Sequence, residues 1–309
     1  MNLTLLRLQP RGPFHFGTDH TGAPAPVIGS DTLFSAVCLA LRDLFGPVRL
    51  TSFVRVVRSA ADPPLRLSNA MPFSGNVLFL PALSGDGWVS QSLFEAQIAG
   101  EPLPETRHLQ AGWLQACEAD DLPVERVWTV DRRRRVRLGA GTPEPFEDSA
   151  VRFASGCGLA VLALIDAEWR DDVLAAIRSL GDSGIGGRRS TGAGQFDLAV
   201  ESLDLRVPDA PTAYCTLSYY LPSARELEQG VLNEPAHYRI DDRTGWTSGP
   251  AGSFRHRSVR MITAGSVVAP VDSRPPVGRL ADVTPTGFRD HEVLRAGWSF
   301  PIGVRGGAA

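Results

Sequence analysis

The stretch Gly181 to Gly194 reads GDSGIGGRRSTGAG and holds six glycines, two arginines and three hydroxyl residues in fourteen positions. Glycine permits positive φ and close approach of backbone to a ligand. Guanidinium groups, hydroxyls and bare backbone N–H groups are what grip phosphate. The chemistry on offer is anion binding, with Gly184, Ile185, Gly186, Gly187, Arg188, Arg189, Ser190, Thr191 and Gly192 as candidate contacts. Two nucleotide motifs are excluded. The chain has no lysine, so G-x-x-x-x-G-K-[ST] cannot occur. The dinucleotide pattern G-x-G-x-x-G fails because Gly184-Ile185-Gly186 is followed by Gly187-Arg188-Arg189. The flanks are reversed for both: Trp169, Val173, Ile177 and Leu180 recur at helical spacing before the loop, and Phe196, Leu198 and Val200 alternate after it. The bland alternative is a flexible surface connection, but plain linkers seldom combine this glycine density with Arg-Arg-Ser-Thr.

Three other clusters could meet the same kind of ligand. Arg132, Arg133, Arg134, Arg135 and Arg137 put five arginines within six positions, with no acid among them. A charge run is ordinarily a solvated face, but like charges this dense repel unless an anion lies nearby. The loop from Gln9 to Gly29 carries His15 between Phe14 and Phe16, and His20 further on. Near the C-terminal end, Arg255 and Arg257 flank His256 beside Phe254, with Arg260 following. Trp113, Trp128 and Trp246 could stack bases or pack in a core.

The elements that must position these residues follow from periodicity. Leu3 to Leu8 reads as a buried strand. Ser30-Asp31 is expected to cap a helix with Phe34, Val37, Cys38, Leu41 and Phe45 inward, stopped by Gly46-Pro47. A short helix is expected over 51–60, and short strands over 65–69 and 76–80, separated by Met71-Pro72-Phe73-Ser74-Gly75. Within an insertion over 85–125, Leu93, Phe94 and Ile98, then Trp113, Leu114 and Cys117, suggest short helices. The arginine run forms one arm of a long hairpin turning at Gly139 to Pro143. Strands at 151–153 and 159–165, a helix at 166–180 and a strand at 195–205 complete β-α-β-β-α-β, the ferredoxin-like or RNA-recognition-motif order. The fold class is therefore α+β, with a glycine-rich loop between the last helix and last strand of the first unit.

Val207 to Pro211 reads as a linker between a first domain, 1–206, and a smaller one, 212–309. In the latter, strands are expected at 214–221, 237–240, 257–262, 266–269 and 292–304, one helical turn or a short helix at 225–229, and a turn at Asp241 to Trp246.

Composition sets the outer bounds. The chain has 309 residues, 43% hydrophobic and 21% charged, with 31 glycines and 24 prolines, which suits a loop-rich globular protein. A net charge of −3 and pI ≈ 6.1 do not advertise nucleic-acid binding, but a mean charge hides local clusters of arginine. Cys38, Cys117, Cys157 and Cys215 lie far apart and form no zinc or disulfide pattern. The paired acids Asp120-Asp121, Asp171-Asp172 and Asp241-Asp242 have no histidine at ligand spacing. Neither metal nor cofactor is expected. Without a membrane-length apolar run or a signal-peptide pattern, a cytoplasmic location is expected.

At this point four passages resemble a known family. Ser30 to Ala36 is similar to the start of its first helix. Met71-Pro72-Phe73 with Phe79-Leu80-Pro81 is similar to its "PF…FLP" segment. Gly184 to Phe196 is similar to its glycine loop, and Gly265 to Val268 with Gly297 to Ile302 to its C-terminal domain. The family is the RAMP proteins of CRISPR effector complexes, nearest the fourth Csm subunit of type III-A systems, related to the five-type RAMP group. The resemblance implies two RAMP domains of RRM-like fold and a non-catalytic scaffold. It implies a subunit that holds the single-stranded 5′ tag of the CRISPR RNA (crRNA), between the large cyclase/polymerase-like subunit and the backbone RAMP subunit, in antiviral defence. The arginine hairpin would be its thumb, and Ser30, Thr32, His15 and Phe16 would join the RNA contacts. Arginine stands where relatives often carry lysine, which keeps the charge and adds bidentate contacts.

Two rival classes remain open. A RAMP-class endoribonuclease processing precursor crRNA would use His15 as general base. A pure protein adaptor would dock a neighbour through an apolar insertion such as Trp88 to Ile98.

Overall fold

The computed structural model describes residues 1–17, 25–83, 87–137, 143–250 and 252–305; His20 and the expected turn residues 139–142 lie outside the described residues. In the first two-thirds of the chain, β1 (Asn2–Pro10) is followed by α1 (Ser30–Ser59), β2 (Leu65–Leu67), β3 (Met71–Ser74), β4 (Val77–Pro81) and β5 (Trp88–Ser90). Then come α2 (Gln91–Ala99), β6 (Thr106–Leu109), β7 (Leu114–Cys117), the hairpin of β8 (Trp128–Arg137) and β9 (Glu144–Phe153), β10 (Cys157–Ile165), α3 (Arg170–Ser183) and β11 (Phe196–Asp204). The main sheet runs β11-β1-β10-β3-β4-β5-β7-β6, with β2 also pairing β10. Its central ladders are antiparallel, with β1 between β10 and β11.

Strand alternation explains why the centre of this sheet is apolar on both faces. Leu6 and Leu8 of β1, with Leu159, Val161 and Ala163 of β10, pack against Phe34, Val37 and Leu41 of α1 and Val173, Ile177 and Leu180 of α3. The intervening Leu3, Leu5, Ala160 and Leu162 face the opposite layer, built from α2 and the C-terminal third. The apolar side chains Val89, Leu93, Phe94 and Ile98 are spent in that core, so the insertion does not offer them to a neighbour as expected.

The break foreseen at Gly46-Pro47 sits inside α1, where Gly46 adopts φ 82 and ψ 170. Proline lacks the N–H that the first turn of a helix leaves unpaired, so helix resumes at Pro47. Other expectations need correction. The helix cap is Gly29, not Ser30-Asp31. Ser30 instead gives its N–H to Asn69 Oδ1 (2.9 Å) and accepts the Tyr219 N–H at its hydroxyl (3.0 Å). Met71 to Ser74 is a strand, not a separator; its ladder to β4 begins only at Phe73, so Pro72 has no β4 partner to disappoint. Leu114–Cys117 is a strand, paired parallel to β5 and antiparallel to β6, not a helix. Among the paired acids, Asp172 meets Arg49 at 2.6 Å, and Asp120 accepts from Ser92 Oγ and the Cys117 N–H.

The C-terminal third contains β12 (Ala213–Thr216), α4 (Ala224–Glu228), β13 (Ile240–Arg243), β14 (Trp246–Gly249), β15 (Gly252–Arg255), β16 (Val259–Ile262), β17 (Val267–Val268), β18 (Gly278–Asp282), β19 (Leu294–Trp298) and β20 (Pro301–Val304). Strands β17-β12-β20 make one sheet, and β13–β16, β14–β15 and β18–β19 make separate ladders. The turn expected over Asp241 to Trp246 shrinks to Thr244-Gly245, because Asp241 to Arg243 pair with Val259 to Met261. Of the expected strand at 237–240, His237 makes an isolated bridge to Val267 and Ile240 opens β13, with no strand between them. No helix among the described residues is long and apolar enough to cross a membrane.

One buried ion cluster ties this third to the first helix. Asp31, in the first turn of α1, is fully buried and receives Arg243 Nη2 at 3.0 Å and Nε at 3.1 Å. Arg295 of β19 binds the same carboxylate, and its other nitrogen donates to the Thr244 carbonyl at 3.0 Å. Burial would push the Asp31 carboxyl up; Arg243 and Arg295 overcome that and hold it below its ordinary value. Asp31→Asn should cost about 3–5 kcal/mol, because two guanidinium groups lose their shared charge partner. With the folded value depressed, the carboxylate's contribution is complete above the unfolded value of about 4 and fades as pH falls through the lower folded one. Thermal denaturation from pH 7 down to pH 3 should show the wild-type advantage over Asp31→Asn shrinking only at the acid end.

Candidate nucleic-acid interface

The glycine loop leaves α3 with its helical carbonyls already engaged. Gly184 closes the helix, its N–H bound to the Leu180 carbonyl at 2.8 Å. Arg11 reaches the Gly181 carbonyl (2.7 Å), the Phe196 carbonyl (3.1 Å) and Asp182 (2.8 Å), stapling both ends of the loop to β1. Ile185 is buried in the core beneath α1 and α3, so it anchors the loop and is not the ligand contact expected.

The glycines approach the protein's own backbone. The Ile185 N–H bonds to the Gly194 carbonyl (3.0 Å), the Gly194 N–H to the Pro13 carbonyl (2.9 Å), and the Gly187 N–H to the His15 carbonyl (2.8 Å). A Cβ at Gly186 would stand 2.7 Å from the His15 carbonyl, and one at Gly187 2.8 Å from the His15 ring. The glycine density thus serves close packing of the segment carrying His15 and Phe16 onto the loop. What the loop turns outward is Arg189, Ser190, Thr191 and Gly192, all exposed on a single 3₁₀ turn. Arg188 precedes that turn in the left-handed region (φ 62), and the Thr191 hydroxyl and N–H both donate to its carbonyl.

The arginine hairpin plants its base on the same segment. Phe14 and Val151 exchange backbone hydrogen bonds of 2.8 Å. His15 Nδ1 lies 2.8 Å from the Ser149 carbonyl. That contact makes Nδ1 the donor, leaving Nε2 as the ring's acceptor when neutral. Arg188 forms an ion pair with Asp148, a largely buried residue of β9. His15, Phe16, Gly186, Gly187, Arg188 and the hairpin base therefore form one cluster.

The hairpin register corrects the view of the arginine run as free of acids. Arg133 stands opposite Asp148 and Arg134 opposite Glu147. Arg133 also binds Asp131 at 2.8 Å, a hydrogen bond that holds the Asp131 carboxyl below the usual range. Arg132 and Arg134 share the other face of β8, are exposed, and have no ion pair among the described residues. The side chains of Arg135 and Arg137 lie outside the description. The acids of β9, Arg11 and Ser149 were missed; a register drawn from the expected turn would have placed Glu147 and Asp148 opposite the arginines.

Four expected contacts lie elsewhere. Ser30 is buried with its hydroxyl engaged, which removes it from a ligand surface, whereas Thr32 is exposed one turn into α1. Arg255 and Arg257 are exposed on and after β15; Arg257 pairs with Asp282 at 3.2 Å. Trp113 is partly exposed, Trp128 is buried, and Trp246 is exposed. Among the described residues no three His, Cys, Asp or Glu side chains converge as a metal site. Burial pushes the thiols of Cys38 and Cys215 up to about 12, so neither offers a thiolate near neutral pH.

Two glycine substitutions separate packing from exposure. Gly194→Ala would drive a methyl into the Ile185 backbone, whereas at Gly192 a Cβ meets nothing within 4 Å. Gly192→Ala should cost only the left-handed penalty of about 1–2 kcal/mol, and Gly194→Ala clearly more, as read by chemical denaturation.

Comparison with known proteins bears on both halves of the chain. Residues 210–304 match the CRISPR Csm4 C-terminal domain. A protein of Thermococcus onnurineus (strain NA1), named CRISPR system Cms protein Csm4, is 27% identical over 318 residues, covering 97% of this chain and 96% of its own. The protein of the same name from Streptococcus thermophilus is 28% identical over 156 residues, 48% of each chain. The fold is similar to a crystal structure of a Csm3-Csm4 subcomplex of the type III-A CRISPR-Cas interference complex (TM-score 0.68, 15% identity, 99% of this chain and 100% of that one). It is also similar to that of a Csm1-Csm4 cassette in complex with cA4 (TM-score 0.64, 20% identity, 99% and 98%). Through its C-terminal domain, and in sequence over nearly its whole length, this chain is similar to the Csm4 proteins of CRISPR systems, and its fold is that of a Csm4 from a type III-A complex.

Proposed function

We propose that this chain is a non-catalytic subunit of a type III-A Csm interference complex that holds the single-stranded 5′ tag of the crRNA. In this reading it stands between the large cyclase/polymerase-like subunit, Csm1, and the backbone RAMP subunit, Csm3. The similar structures, in which a Csm4 is paired with each, support those partners. The division at 1–206 and 212–309 corresponds to two RAMP domains, the first ferredoxin-like with the β8–β9 hairpin as its thumb. Its strand order β11-β1-β10-β3 supports this.

The observation that carries the reading is the meeting of glycine loop, His15–Phe16 segment and hairpin base. Arg189, Ser190 and Thr191 are exposed on one side of that junction. Arg132 and Arg134, exposed and with no ion pair among the described residues, rise from the other. Such a junction suits an RNA backbone: guanidinium and hydroxyl groups take phosphates with no need to read bases. Arg188→Ala combined with Arg189→Ala should lower crRNA retention in the assembled complex; unchanged retention would leave only a protein adaptor. Arg132→Ala combined with Arg134→Ala should flatten the dependence of log K on log salt by about 0.7 for each phosphate no longer neutralised.

The Nε2 of His15, beside Gly187 and with no hydrogen-bond partner among the described residues, favours a second reading, an endoribonuclease of the same class that processes precursor crRNA. A base, an acid and a cation suffice for metal-independent RNA cleavage. Incubating repeat RNA with the purified protein decides between them. The scaffold reading expects intact RNA; cleavage that disappears in His15→Ala would replace it.

A further inference from the structure

The hairpin β14–β15 displays a feature that the glycine-loop junction does not use. Trp246 is 69% exposed and pairs directly across the ladder with Arg255, so both side chains stand on one face. The other face carries Thr247 opposite Phe254. Phe254 turns inward, its ring 5.4 Å from that of Phe288 in a small core with Met261 and Val283. The hairpin is thus held by one face, while Trp246 and Arg255 are exposed on the other. Its root is fixed as well: Arg255 Nε donates to the Thr244 hydroxyl at 3.4 Å, and the Thr244 carbonyl accepts from Arg295, which binds Asp31.

A solvent-facing indole beside a guanidinium presents a flat π-face and a cation together. Among the described residues Arg255 has no carboxylate partner. An apolar protein patch laid over Trp246 would desolvate that unneutralised charge, which is costly. A nucleotide supplies both complements, a base to lie on the ring and a phosphate for the guanidinium. Position agrees with this. The segment that seats His15 against the glycine loop leads into α1, and the first turn of α1 supplies the Asp31 that fixes the root of this hairpin.

We propose that Trp246 and Arg255 form a second RNA seat, in which one unpaired base stacks on the indole and an adjoining phosphate meets the guanidinium. This rests on the RNA-holding reading above and extends it from backbone grip to a base contact on the C-terminal third of the chain.

The test uses the purified full chain and fluorescent single-stranded RNA of the repeat sequence, intact or with one base at a time removed to leave an abasic ribose. Trp246→Ala should weaken binding of intact RNA on the order of ten-fold, while Trp246→Phe retains most of it. At one abasic position wild type and Trp246→Ala should bind equally, because the base that stacks is gone. The inference is overturned if Trp246→Ala binds intact RNA as wild type does, or loses the same factor at every abasic position. It is also overturned if the only loss is of co-purification with the large subunit. Arg188→Ala combined with Arg189→Ala is the reference. If that pair loses RNA and Trp246→Ala does not, only the second seat falls. If wild type binds no RNA, the reading beneath it falls too.

Discussion

The buried carboxylate of Asp31 is the constraint on which the arrangement of both halves depends. It sits in the first turn of α1, where an acid is favoured by the helix dipole, and both its oxygens are taken by arginines from distant parts of the chain. Neither arginine is left idle. Arg243 also lies over the Tyr219 ring at 4.2 Å, and Tyr219 in turn donates to Asp241 at 2.9 Å. Replacing any member strands the others in a low-dielectric site, so the cluster fixes one geometry more than it adds net stability. That geometry sets where α1 begins, and with it the segment that delivers His15 and Phe16 to the glycine loop.

The junction is built on a division of labour among residues of the same type. Gly186, Gly187 and Gly194 allow protein backbone to pack on protein backbone, whereas Gly192 faces open space. Arg11 and Arg188 tie the loop to β1 and to the hairpin, whereas Arg189 is left outward. The loop is rigid where it meets the protein and polar where it does not. A ligand arriving at Arg189, Ser190 and Thr191 would find them already placed, which lowers the ordering cost of binding.

Much of this was legible in the residues. The apolar periodicity before Gly181 and alternation after Phe196 located the helix and strand that hold the loop, and Gly46-Pro47 marked the break in α1. The failures share a cause: long-range pairing overrode local preference. Met71-Pro72-Phe73 looks like a turn until β10 offers a ladder, and Asp241-Asp242-Arg243 until β16 does. Ile185 reads as part of a ligand loop because nothing in the sequence says that the core lies beneath it. The acids opposite the arginine run were visible, but only a hairpin register turns neighbours in space into partners.

The two-sided burial of β1 has a consequence for how the chain is made. Leu3 and Leu5 share a core with Phe300, Ile302 and Val304, and Trp298 joins the core on the other face. Strand β1 is therefore completed only once residues from the far end of this sequence have been made. Until they emerge, one face of the central sheet stays uncovered and open to unwanted association. The central sheet therefore closes late, after an intermediate whose apolar face needs a protecting surface.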